Sequence, residues 1–94
     1  MSDVGELIAV VQQGDRCQRL LEDPEIASAF KEIEGILLQG ITMSQPGDRE
    51  GRESLYFQHL GLQAVVGLLH QRVAGGLSAQ EQLNLIIEEE ENNG

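Results

Sequence analysis

Residues 23–43 read DPEIASAFKEIEGILLQGITM, and this stretch decides the fold. An aspartate at the N-cap, Asp23, accepts bonds from free backbone amides. Pro24 at the first helical position gives up an amide that would be unpaired anyway. Glu25 then sits beside the positive end of the helix dipole. Ile26, Phe30, Ile33, Leu37 and Ile41 recur at steps of three and four, one apolar face of an α-helix running to about Thr42 or Met43. Gly35 and Gly40 weaken that helix by about 1 kcal/mol each relative to alanine, which implies close approach by another helix.

Working outward toward the C-terminus, Ser44-Gln45-Pro46-Gly47 reads as a turn and Asp48 as the cap of the next helix. That helix is predicted from about residue 49 to residue 74. Leu55, Leu62, Val66, Leu69 and Val73 form its main stripe, and Tyr56, Phe57, Leu60, Val65 and Leu68 widen it on both flanks. So broad an apolar face contacts more than one neighbour, within the chain or in another subunit. Gly75-Gly76 predicts a stop. Ser78-Ala79-Gln80-Glu81 reads as a capping box opening a short helix through Leu83, Leu85, Ile86 and Ile87. The run Glu88–Glu91 places four negative charges at the negative end of that helix, which predicts fraying there.

Toward the N-terminus, Leu7, Ile8, Val10 and Val11 mark a short helix over about 4–13, and Cys17, Leu20 and Leu21 mark its continuation over 15–22. Gly14 between them is either a break or a weak point within one helix. No strand-like alternation and no internal repeat is present. The expected fold is all-α, an antiparallel αα-hairpin of about 24–43 and 49–74 with short flanking N- and C-terminal helices. Residues 1–87 form a single helical domain in this reading, and 88–94 an acidic, flexible tail.

The chain has 94 residues, with 16 acids against 6 bases and a net charge of −10. Half of that charge lies in the last 18 residues, where Glu81 and Glu88–Glu91 face no base. Such a balance argues against direct nucleic-acid binding, whose main affinity term is neutralisation of phosphates by basic side chains. It argues equally against docking on an anionic membrane. No apolar run approaches the ~20 residues that span a bilayer, and no signal peptide is evident. Aromatic residues are limited to Phe30, Tyr56 and Phe57, so the core must be aliphatic.

Chemistry-bearing residues are sparse. His59 and His70 are eleven residues apart on the long helix, nearly on one azimuth but separated by about 16 Å of rise, too far to share a metal. His59 falls near the Leu55–Leu62 stripe, where a half-buried imidazole is expected to be capped by a local carbonyl or carboxylate. Cys17 is alone, which excludes a disulfide framework and a cysteine zinc site; it reads as a small packed residue. No nucleophile sits on a recognisable elbow, and the glycines accompany no Gly-Lys-Ser/Thr element. No catalytic residue, metal ligand or cofactor-binding residue is assigned, and the chain is not expected to be an enzyme.

The densest polar cluster is Asp48 to Glu53. In its simplest reading it is a capped helix start, with Arg49 and Glu53 paired at i, i+4 for a few tenths of a kcal/mol. The sharper reading gives Arg52 and Glu53 a salt bridge to the opposing helix or to a partner chain, with Gly51 marking a tight contact. The expected partner-binding set is Arg52, Glu53, Tyr56, Phe57, Val65 and Leu68.

Leu20-Leu21-Glu22-Asp23-Pro24 leads into a helix with Ala29-Phe30, and a helix exit at Thr42 or Ser44 follows. Then come Asp48 and Arg52-Glu53-Ser54-Leu55-Tyr56, with a long helix closing in Gly75-Gly76-Leu77. This pattern, over roughly residues 17–83, resembles a group of short proteins encoded among the head and packaging genes of tailed bacteriophages and prophages. Members of that group usually carry a tryptophan in the first hairpin helix, about where this chain has Leu37 or Leu38. The resemblance implies a non-enzymatic virion or head-assembly accessory protein, located in the virion or host cytoplasm. Its expected partners are itself, as a homo-oligomer, or a phage structural protein such as capsid or portal. The alternative from another class is an acidic regulatory or DNA-mimic protein that occupies a basic surface of a nucleic-acid enzyme.

Overall fold

The structure, a computed structural model, describes residues 3–93. Among these residues it is all helical, with α1 at Val4–Glu22, α2 at Pro24–Thr42 and α3 at Arg49–Asn93. The chain divides into two compact units. One is α2, the connection 43–48 and α3 as far as Gly67. The other is α1 with the part of α3 from Leu68 onward.

Each helix start is fixed by an aspartate. Asp23 holds extended backbone (φ −66°, ψ 122°), and its carboxylate accepts from the amides of Glu25 at 2.8 Å and Ile26 at 3.2 Å. Asp3 accepts from Gly5 at 3.3 Å. Asp48 accepts from Gly51 at 3.0 Å, and a Cβ on Gly51 would collide with that carboxylate. Gly51 therefore makes room for its own helix cap. At the far end of α2, the Met43 amide donates to the Gln39 carbonyl at 2.9 Å and the Ser44 hydroxyl to the Ile41 carbonyl at 2.8 Å, closing the last turn.

In the first unit Leu37 is the buried apolar residue of α2, with Ile26, Phe30 and Ile41 half-buried beside it in register. Ile33 lies on the margin of that stripe and remains 46% exposed. Across the unit, Leu55, His59, Leu62 and Val66 are the half-buried positions of α3 at helical spacing. Gly40 is where the two helices come closest, since a Cβ there would sit 2.9 Å from Leu55 Cδ1. Gly35 has open space around it, so the close approach expected at both α2 glycines occurs at Gly40 alone.

In the second unit α1 runs unbroken through Gly14. A Cβ on Gly14 would lie 2.9 Å from the Arg72 carbonyl oxygen and 3.0 Å from Gly76 Cα. Conversely, a Cβ on Gly76 would lie 3.0 Å from Gly14 Cα and 3.4 Å from the Val10 carbonyl oxygen. Leu7, Gly14 and Cys17 of α1 are buried, as are Gly76 and Ala79 of α3. The two helices thus cross backbone to backbone over a floor of small residues.

That crossing explains why the expected stop at Gly75-Gly76 does not occur. A glycine ends a helix by turning left-handed just beyond it, and no described glycine has a positive φ. Kept helical, the pair costs about 2 kcal/mol of propensity, which the close contact with α1 offsets. Ser78-Ala79-Gln80-Glu81 is accordingly the interior of α3, with Ala79 buried at 3% exposure, and caps no separate helix. Nor do Glu88–Glu91 fray, because α3 continues through Asn93. Extending a helix already nucleated requires no new nucleus and glutamate is a good helix former; together these outweigh a dipole penalty of about 0.3–1 kcal/mol.

Candidate functional site

The polar start of α3 turns inward to its own connection. The half-buried Arg52 guanidinium donates to the Gln45 carbonyl at 2.7 Å, the Pro46 carbonyl at 3.3 Å and the Ser44 hydroxyl at 3.4 Å. A planar fork with several donors suits this set of acceptors in a way an ammonium does not. Glu53 pairs with Arg49 at 3.3 Å on exposed surface, the simple i, i+4 arrangement. Arg52 thus ties down the 43–48 connection. Arg52→Ala is expected to cost about 1–2 kcal/mol, the range for bonds to a charged donor that is only half-buried. Arg52→Lys should recover only part of the loss. Urea titration followed by helical circular dichroism reads both.

The other four expected partner-binding residues lie uncovered. Within the first unit Tyr56 is 53% exposed, Phe57 65% and Val65 51%. The Tyr56 and Phe57 rings lie 6.2 Å apart at a tilt of 54°. In the second unit Leu68 is also exposed. Leu60, which the sequence places on a flank of the apolar stripe, and Gly61 and Ala64, which sequence reasoning did not single out, share a helical face with Phe57, about 180° round from Leu55, Leu62 and Val66. Leu60 is 40% exposed, and nothing lies within 4 Å of a Cβ placed on Gly61. The signal for this face was present in the sequence as the spacing Phe57, Leu60, Gly61, Ala64.

On the opposite, inner face stands His59. Its Nδ1 is shielded from solvent and has no hydrogen-bond partner among the described residues, where a carbonyl or carboxylate cap was expected. A buried nitrogen left unpaired costs about 1–3 kcal/mol. His59→Leu, which continues the Leu55–Leu62–Val66 stripe, is therefore expected to stabilise the protein by about 1 kcal/mol, readable as a higher melting temperature.

Among the described residues no three of His, Cys, Asp and Glu converge on a point that would hold a metal ion. Cys17 of α1 is buried as a free thiol. An open depression on α2, lined by Ala27, Ser28, Lys31 and Glu32, contains no buried polar group. Among the described residues no helix is long and apolar enough to cross a membrane. The arrangement with the clearest chemical capacity is therefore the uncovered apolar face of α3, which can pack against another helix. Compared with known proteins, the chain matches no family model, no curated protein and no solved structure.

Proposed function

We propose that this chain is a non-enzymatic helical assembly protein that works by packing an apolar helix face against a partner. One observation carries the reading. Among the described residues four apolar side chains are buried, Leu7, Cys17, Leu37 and Ala79, while sixteen large apolar side chains are exposed. Scattered exposed apolar residues are ordinary, but a contiguous apolar face is an interaction site. Phe57 and Leu60, with Gly61 and Ala64 between and beyond them, supply such a face on one helix.

The setting we propose is the head of a tailed bacteriophage, with a capsid or portal protein, or a further copy of the chain, as partner. This setting rests on the resemblance of residues 17–83 to short phage head-module proteins. We take α2 and residues 49–67 of α3 as an antiparallel hairpin. The contact of Gly40 with Leu55 and the bonds from Arg52 to Ser44, Gln45 and Pro46 support that arrangement.

The test is co-sedimentation of the purified protein with phage head precursors and with isolated portal and capsid proteins, at low and high salt. Apolar packing predicts association that persists as salt is raised, and that survives deletion of Glu88–Glu91. Association lost under both changes would overturn the packing reading in favour of an acidic decoy, whose affinity is electrostatic and screened. Absence of association with any head component would remove the phage setting.

A further inference from the structure

We infer that the outer face of α3 is covered by the same face of a second copy of this chain, in an antiparallel two-fold pair centred between Leu60 and Gly61. The inference rests on the helix-packing reading above and names its partner. Two independent observations support a copy as the occupant.

The order of side-chain sizes is the first. Along the face, two large residues, Phe57 and Leu60, are followed by two small ones, Gly61 and Ala64. An isologous interface brings the same patch of both subunits together about a two-fold axis. Reversing this helix about a point between 60 and 61 sets Phe57 over Ala64 and Leu60 over Gly61 of the partner, twice each. Within residues 57–64 each large side chain then meets a small one. The hollow at Gly61 is not used by the chain itself, because nothing lies within 4 Å of a Cβ there. The knobs are free as well, with Phe57 65% and Leu60 40% exposed.

Charge is the second. In a chain of net charge −10, residues 54–71 contain no Asp, Glu, Lys or Arg. Interface centres are depleted of charged residues, and two strongly acidic copies can meet only where charge is absent. A partner selected by charge would find nothing on this face to pair with.

Sedimentation equilibrium of the wild-type chain, Gly61→Leu and the exchange variant Leu60→Ala/Gly61→Leu tests the pair. Gly61→Leu fills the hollow that would receive Leu60 of the second copy while meeting open space in its own chain, so its helical circular dichroism and melting should be retained. The wild type is expected to be dimeric at micromolar concentration, and Gly61→Leu to raise the dimer dissociation constant at least about thirtyfold, the loss typical of a central hot spot. The exchange variant restores a small residue opposite a large one across the two-fold axis and is expected to recover dimerisation. Higher salt should tighten the dimer slightly by screening repulsion between acidic copies. A wild type that stays monomeric at high micromolar concentration overturns the inference, and so does a dimer indifferent to Gly61→Leu. Binding to head components is measured separately, so the failure of either conclusion is seen without the other.

Discussion

Replacing Gly14 by leucine is expected to cost about 3 kcal/mol or more, the upper range for overpacking a closed site. Even the first atom of a side chain there would lie 2.9 Å from the Arg72 carbonyl oxygen and 3.0 Å from Gly76 Cα. Both obstacles are backbone, so no rotamer change relieves the clash and α1 must move away from α3. Gly14→Ala is expected to be destabilising too, although alanine favours a helix over glycine by about 1 kcal/mol. Gly35→Ala supplies the control. With open space around Gly35, the propensity gain is uncompensated, and the variant should be more stable by about 0.4–1 kcal/mol. Urea unfolding reads the opposite signs. Hydrogen exchange locates them, with protection lost in α1 and beyond Leu68 for Gly14→Leu and retained across α2. Tolerance of leucine at position 14 would show that the helices do not cross at these glycines.

Leu37→Ala should produce a loss of similar or larger size by the opposite route. Leu37 is 7% exposed and is the buried apolar residue of α2. Truncation removes the transfer energy of the lost atoms and leaves a cavity, for about 2–5 kcal/mol together. In a domain this small each kcal/mol moves the melting temperature by about 4–8 °C, so a fall on the order of 10 °C or more is expected. A change under ~0.5 kcal/mol, the size of an ordinary surface substitution, would mean that α2 does not pack through Leu37. Leu62 and Leu69, which are only half-buried, should lose less on the same substitution.

The contrast between α2 and the two terminal regions shows where sequence reasoning succeeds. The bounds of α2 were legible because the signals that set them are local. An Asp-Pro cap and a Ser-Gln-Pro-Gly turn act within a few residues and require no partner. Gly14 and Gly75-Gly76 were not legible for the converse reason. Whether a helical glycine is a stop or a packing contact depends on what lies opposite, and here the two sets lie opposite one another. The stop, the capping box and the frayed acidic end were therefore one misreading, propagated from a single pair of glycines. The apolar residues of α3 were read as one broad face, and the structure divides them between two sides of the helix. The inner side is the half-buried stripe of Leu55, Leu62 and Val66, the outer side bears Phe57 and Leu60, and Tyr56 and Val65 stand on opposite flanks. Arg52 was singled out as a contact residue, and its own chain supplies the acceptors, because a charge cluster shows that a cation is held without showing by what.

The crossing of α1 with α3 also bears on how the chain is made. Gly14 and Gly76 meet although they stand about sixty positions apart in the sequence, whereas Gly40 and Leu55 meet across a single short connection. Closing the longer loop costs more chain entropy and must await the far segment. During synthesis α1 leaves the ribosome well before its partner surface around Gly76 and Ala79. For most of that interval the α2 region is free to fold while Leu7 and Cys17 stay exposed to solvent and to other nascent chains. A truncation before Leu68 removes that whole partner surface and should leave Leu7 and Cys17 permanently exposed.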